Sequence, residues 1–229
     1  MAFTREFDTD VESFTQDELY EVEDIKRLER IHNEFRDGFS LLGHLGPAIC
    51  VFGSARIKPD SVEYEQGRMI GSLLAQKGYA VITGGGPGAM EAANRGAYEH
   101  GGMSVGIGIE LPHEQGINEY VTLKMNCHYF FTRKTMFMRY CDGLIVLPGG
   151  FGTFDELFEA ETLVQTHKTH TRPIVLIGTK YWSGLIKWIR DTVCPSGKIS
   201  REDVNRLIVT DDVHEAVRLA TQNLEPLHS

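Results

Sequence analysis

The stretch Val146–Glu161, VLPGGFGTFDELFEAE, sets a glycine turn directly before a row of carboxylates. Gly149, Gly150 and Gly152 follow an apolar run and precede a segment of helical character. Such glycines let a ligand approach the backbone, and the first N–H groups of the following helix point free donors at an anion. Asp155, Glu156, Glu159 and Glu161 come at once, although an anion site normally avoids carboxylates. The pairing asks for a ligand that needs a phosphate cradle and a carboxylate within one helical turn of each other. A structural alternative stands beside it. Thr153 and Glu156 spell T-x-x-E, the pattern of a capping box at a helix start. Asp155 lies about 100° around the helix from Glu156 and reads as a solvated first-turn carboxylate, with Glu159 and Glu161 as surface charge.

Two further β-rich runs end in glycine turns. One gives VFGSARI, with Gly53, Ser54 and Arg56; the other gives TGGGPGAMEAANRGA, with Gly84, Gly85, Gly86 and Ala89. The second satisfies G-x-G-x-x-A, the dinucleotide fingerprint, but a lone match is weak. It also follows the second strand of the unit, where the fingerprint belongs after the first, so a single-nucleotide site is preferred over NAD. Glu91 is either a first-turn dipole partner or a ribose contact. No metal site is expected. His167 and His170 lack a third ligand, His113 sits with Glu114 in a Pro-containing loop, and no H-E-x-x-H, Walker A lysine or nucleophile elbow occurs. Cys50, Cys127, Cys141 and Cys194 form no C-x-x-C pair and read as reduced thiols, which fits a cytoplasmic protein.

These turns need a scaffold. From Ala48 onward the apolar runs AICVF, YAVIT, SVGIGI, GLIVL, PIVLI and RLIVT alternate with stretches of helical period. That pattern predicts right-handed βαβ units and an α/β fold: a Rossmann-like, doubly wound parallel sheet covered by helices on both faces, in a single domain. With strand order 3-2-1-4-5, the ligand crevice falls between the first and fourth strands, bringing Gly53 and Ser54 opposite Gly149–Thr153. Residues 1–46 read as a helical extension and 47–229 as the nucleotide-binding domain. In the extension Val22, Ile25, Leu28, Ile31, Phe35 and Phe39 recur every three or four residues, an amphipathic helix closed by Gly43, Gly46 and Pro47. Its stripe serves either its own domain or a neighbouring subunit. The formal net charge of −9 and the absence of a basic block argue against nucleic-acid binding. No signal peptide and no run of transmembrane length are recognised.

The nine residues Pro148–Glu156, PGGFGTFDE, match P-G-G-x-G-T-x-x-E at every fixed position. With GGGPGAM upstream and T-R-K at Thr132–Lys134, the chain resembles the LONELY GUY family of cytokinin-activating phosphoribohydrolases, some of which have carried a lysine decarboxylase label. The resemblance spans roughly Ala48 to Ile177, and the helical extension is similar to that of the longer, type II members. It implies hydrolysis of the N-glycosidic bond of a nucleoside 5′-monophosphate, a cytokinin ribotide or AMP, to free base and ribose 5-phosphate, with no cofactor. It implies Arg133 and Glu156 as catalytic residues and a homo-oligomer, a dimer of the core or a hexamer. It implies Gly149, Gly150, Gly152 and Thr153 as the phosphate loop, and Gly53, Ser54, Gly85, Gly86, Glu114, Lys134 and Thr162 are further substrate-binding candidates. A nucleoside monophosphate would resolve the charge paradox, because it carries its anion at C5′ and breaks at C1′ through an oxocarbenium-like state that a carboxylate stabilises. The stretches GGGPGAME and ELPHEQGINEY depart from those of plant members. The alternative from another class is a carrier of a phosphorylated cofactor, as in molybdenum-cofactor carrier proteins. The Arg133 and Glu156 pair favours the enzyme.

Overall fold

The computed structural model describes residues 16–110 and 116–222. A long helix, α1 (Gln16–Leu42), leads into β1 (Ala48–Phe52), α2 (Val62–Gln76), β2 (Ala80–Thr83), α3 (Ala89–Glu99), β3 (Ser104–Ile109) and β4 (Leu123–Cys127). There follow α4 (Phe130–Tyr140), β5 (Gly143–Val146), α5 (Phe151–Gln165), β6 (Ile174–Ile177), α6 (Thr179–Trp188), α7 (Arg201–Arg206), β7 (Leu207–Thr210) and α8 (Val213–Ala220). A short π-helical segment, Ile189–Val193, continues α6.

All seven strands are parallel, in the order β4-β3-β2-β1-β5-β6-β7. The six apolar runs of the sequence are β1, β2, β3, β5, β6 and β7, in the expected order. The seventh strand, β4, was not anticipated. It lies at the sheet edge, where Met125 and Cys127 are buried while Lys124 and Asn126 face solvent, so it lacks the continuous apolar run of its neighbours. Successive strands from β1 to β4 move one way across the sheet, and β5 then returns to the other side of β1. That reversal opens a crevice beyond the carboxyl ends of β1 and β5.

Side chains alternate along each strand and feed two cores. From β1, Ile49 and Val51 pack with α2, α3 and α8 residues such as Ile70, Leu74, Ala93 and Val217, while Cys50 and Phe52 face Met136, Phe137, Leu157 and Trp182 of α4, α5 and α6. Helix α1 rests on α4 and β4 through its C-terminal end. Leu42 is fully buried, and a β-carbon on Gly38 would stand 2.7 Å from Met125 and 2.8 Å from Met136. Its N-terminal half is different: Ile25 is 41% and Leu28 65% exposed, so this part of the apolar stripe is not covered by the described residues. Among the described residues no helix is long and apolar enough to cross a membrane. Cys50, Cys127 and Cys141 are buried free thiols.

Candidate active site

Three turns meet at the crevice, and the peptide of Ser54 ties them together. Its N–H donates to the carbonyl of Pro148 (3.0 Å) and its carbonyl accepts from the N–H of Ala89 (3.0 Å). The Ser54 hydroxyl oxygen accepts from the Arg56 N–H, closing the first turn locally. Close approach demands the glycines here. A β-carbon on Gly53 would stand 2.6 Å from that of Ala89, and Gly88, at φ +69°, would place one 2.5 Å from the Ser54 carbonyl. The cavity so formed has a volume of about 1000 Å³, and Gly53, Ser54, Gly85, Gly86, Arg133 and Glu156 line it together with Gly150, Gly152 and Thr153.

The PGGFGT turn is built differently at each glycine. On Gly149 a β-carbon would sit 2.1 Å from the Thr153 hydroxyl oxygen, so that glycine is internal to the fold. On Gly150 or Gly152 it would meet nothing within 4 Å, and neither has a positive φ. Neither packing nor conformation requires glycine at these two positions, which leaves space for a ligand as the reason. Gly149 itself borders a smaller neighbouring cleft, and its carbonyl accepts from the Tyr181 hydroxyl.

Helix α5 starts earlier than T-x-x-E suggested. Gly150 is the N-cap, with no side-chain capping bond, and Thr153 and Glu156 both lie inside the helix. The capping-box reading therefore fails: the carbonyl of Gly150 already accepts the N–H groups of Thr153 and Phe154, each at 3.0 Å. Glu156 is instead a wall residue, only 6% exposed. Burial pushes its carboxyl up to about 7, against the pull of the Lys134 and Arg133 cations and with the push of Glu159 and Asp155. One of its oxygens, Oε2, is buried with no hydrogen-bond partner.

Arg133, in the first turns of α4, reaches across the crevice. Its Nε donates to the Ile107 carbonyl (2.8 Å) and Nη2 to that of Gly84 (3.3 Å), while the guanidinium lies 5.2 Å from the Phe137 ring centroid. Gly84 makes room for it, since a β-carbon there would stand 2.3 Å from Nη2. Lys134 turns away from the cavity toward α5, with Nζ 2.5 Å from Glu159, 3.0 Å from Asp155 and 3.4 Å from Glu156. The second glycine turn is held by Asn118, whose amide donates to the carbonyls of Gly85 (3.0 Å) and Gly86 (3.1 Å) and to Asn94 Oδ1 (3.0 Å).

The structure thus gathers Gly53, Ser54, Gly85, Gly86, Arg133, Gly150, Gly152, Thr153 and Glu156 around one cavity. It does not bring Thr162 there: that residue is exposed, and its hydroxyl donates to the Phe158 carbonyl one turn back. Glu114 lies outside the described residues. Glu91 accepts from the Tyr64 hydroxyl (2.8 Å), a contact between α3 and α2. Met136 is core. Glu159 and Glu161 are not plain surface charge. Glu159 binds Lys134, and Glu161 is half-buried beside Arg206 (3.5 Å), desolvation raising its carboxyl to about 7. Asn118 and the mouth residues Phe130 and Phe151 were not singled out from sequence, although Phe151, at 91% exposure, occupies the variable position of PGGFGT. His167 and His170 are exposed, and no metal-holding cluster occurs among the described residues.

A family model described as "Possible lysine decarboxylase" matches residues 90–220. The cytokinin riboside 5′-monophosphate phosphoribohydrolase of Mycobacterium tuberculosis is 34% identical over 157 residues, 65% of this chain and 80% of that relative. The Arabidopsis thaliana enzyme of the same name, LOG7, is 31% identical over 179 residues, 74% and 79% of the two chains. The chain belongs to the LONELY GUY family. Its fold is shared more widely: the molybdenum cofactor carrier protein of Chlamydomonas reinhardtii superposes with a TM-score of 0.58 at 24% identity, covering 77% of this chain and 97% of that one. In LONELY GUY terms the decarboxylase description finds little support in the cavity, whose only described cationic side chains are Arg56 and Arg133. A Schiff base would need a lysine there.

Proposed function

We propose that this protein hydrolyses the N-glycosidic bond of a nucleoside 5′-monophosphate, AMP or a cytokinin ribotide, to free base and ribose 5-phosphate. One observation carries the reading. A carboxylate that is 6% exposed, Glu156, shares a cavity with a helix start where Gly150 and Gly152 leave unfilled space. The N–H groups of Phe151 and Gly152 have no intrahelical acceptor and take the C5′ phosphate, with the Thr153 hydroxyl beside them. The ribose then extends toward Glu156, and the base lies toward Gly85 and Gly86. As the C1′–N bond breaks, its electron pair leaves with the base and positive charge spreads over C1′ and the ring oxygen. The Glu156 carboxylate stabilises that charge. Water adds its oxygen to C1′, and Glu156, with a pKa near 7, is suited to accept the proton released, which passes on to the departing base and restores the carboxylate. Arg133 orients the sugar against the carboxylate. Relatives named for this reaction support the reading.

The test is incubation of purified protein with AMP, N6-isopentenyl-AMP and adenosine, with chromatography for free base. Release of base from the monophosphates, with adenosine far slower, is expected. Tight binding of a phosphorylated ligand without base release would favour a carrier, and equal cleavage of adenosine would remove the phosphate cradle.

A further inference from the structure

Lys134 follows the catalytic arginine candidate directly, yet it does not line the cavity. Its side chain is 17% exposed, and its ammonium has three carboxylates around it: Glu159 at 2.5 Å, Asp155 at 3.0 Å and Glu156 at 3.4 Å. An ammonium has three N–H donors, and two are spent on Glu159 and on Asp155, which itself stands at the cavity wall. We propose that Lys134 is a positioning residue for Glu156, favouring the ionised form of its carboxylate from behind rather than binding substrate. This rests on the nucleoside monophosphate reading of the cavity.

The argument is electrostatic. A carboxylate taken out of water tends to neutralise itself by holding its proton, and a neutral acid cannot stabilise a ribosyl cation. A counter-charge must therefore stand close, but a mobile lysine in the cavity would be drawn to the phosphate. Asp155 and Glu159 prevent that by anchoring the ammonium. The contact with Glu156 is longer than a normal hydrogen bond, and Glu156 Oε2 accepts none. The lysine supplies charge without consuming the carboxylate's acceptor capacity. The groups facing Glu156 are Lys134 and Arg133 from α4 and Asp155 and Glu159 from its own helix, with the Cys50 thiol of β1 within electrostatic range. With Glu156 ionised, three carboxylates stand against two cations here. Burial alone would draw the lysine toward neutrality, but Glu159, Glu156 and Asp155 hold it above its ordinary value, so it stays charged over any working pH.

The experiment compares wild type with Lys134→Met, which keeps the length and removes the charge, and Lys134→Arg, which keeps the charge. The first readout is titration of the Glu156 side-chain carboxyl by 13C NMR in glutamate-labelled protein, assigned with Glu156→Gln; it needs no turnover. Lys134→Met is expected to move that titration upward by roughly 1 to 3 pH units, as for loss of an opposite charge at this distance. Lys134→Arg should leave it within half of that. The second readout is AMP hydrolysis against pH. The acidic limb of kcat should move up with the Glu156 titration while KM for AMP changes less than threefold, and activity should recover at high pH. An unmoved Glu156 titration would overturn the proposal, as would a tenfold or larger rise in KM with the kcat limb unchanged, which would make Lys134 a substrate ligand. If Lys134→Met does not fold, Lys134→Gln carries the same comparison. If wild type releases base from neither AMP nor N6-isopentenyl-AMP, the phosphoribohydrolase reading fails, and the NMR titration still decides the charge relation.

Discussion

Replacing Glu156 with glutamine should make the protein inactive and, above neutral pH, more stable. The side chain keeps its size in a wall position where only 6% of the residue is exposed, and Lys134 keeps Asp155 and Glu159 as partners. What disappears is the cost of an ionised carboxylate out of water. The carboxyl rises from its ordinary 4.5 to about 7 on folding, so the folded protein holds that proton more tightly than the unfolded chain. The stability from this tighter hold is fully present below about pH 4.5 and is lost as pH rises through 7. Glutamine has no such dependence. Relative to wild type, its gain should grow by about 2.5 kcal/mol between pH 5 and pH 8, out of a full difference of about 3 kcal/mol at about 1.4 kcal/mol per tenfold change in proton affinity. Any constant cost of burying the amide cancels in that comparison, as does Glu161, which rises similarly in both proteins. Urea unfolding at the two pH values measures the gain, and AMP turnover in the same preparations should fall about 10²–10³-fold. A stability difference that does not change with pH would refute the burial argument, and near wild-type kcat would refute the catalytic one.

Discrimination by phosphate should be large. Loss of two charge-assisted hydrogen bonds, each about 1.5–3 kcal/mol, lowers kcat/KM for adenosine at least about 10²-fold below AMP in a base-release assay. Gly152→Ala should stabilise the helix start by about 0.5–1 kcal/mol, because its β-carbon meets nothing, while raising KM for AMP about tenfold or more, a loss of the order of one such bond. Gly149→Ala should instead lower the melting temperature, because its β-carbon would collide with Thr153. Ile25→Glu with Leu28→Glu, both exposed on α1, should lower the assembly state seen by sedimentation if that stripe joins subunits. An unchanged species would place the interface elsewhere.

The sequence displayed what depends on short-range pattern. Runs such as AICVF and GLIVL are apolar because helices cover both faces of the sheet, and their order follows from the handedness of βαβ units. Gly149, Gly150 and Gly152 stood out together in the sequence as a glycine turn after a strand; only the structure separates Gly149, which packs on Thr153, from the two at the cavity wall. β4 escaped because an edge strand with Lys124 and Asn126 outward carries no continuous apolar signal. T-x-x-E misled at Thr153 because Gly150 had already capped the helix three residues before. Glu159 and Glu161 looked like surface charge because their partners, Lys134 and Arg206, stand 25 residues before and 45 residues after them. Helical spacing shows which residues share a face of α5 but not what that face meets.

The knot at Ser54 bears on how such a protein can change its diet. The struts joining its three loops are peptide groups, Ser54 to Pro148 and Ser54 to Ala89, and peptide groups are insensitive to which side chain is inherited. Met90, Ile117 and Asn126, by contrast, bring side-chain atoms to the cavity wall around Gly84, Gly85 and Gly108. On the proposed reading, substitution there would reshape the room for a base without loosening the part proposed to hold the sugar phosphate. One half of the cavity is therefore free to drift toward new ligands while the other stays a fixed handle, and closely related chains can be expected to agree on the handle and disagree on what hangs from it.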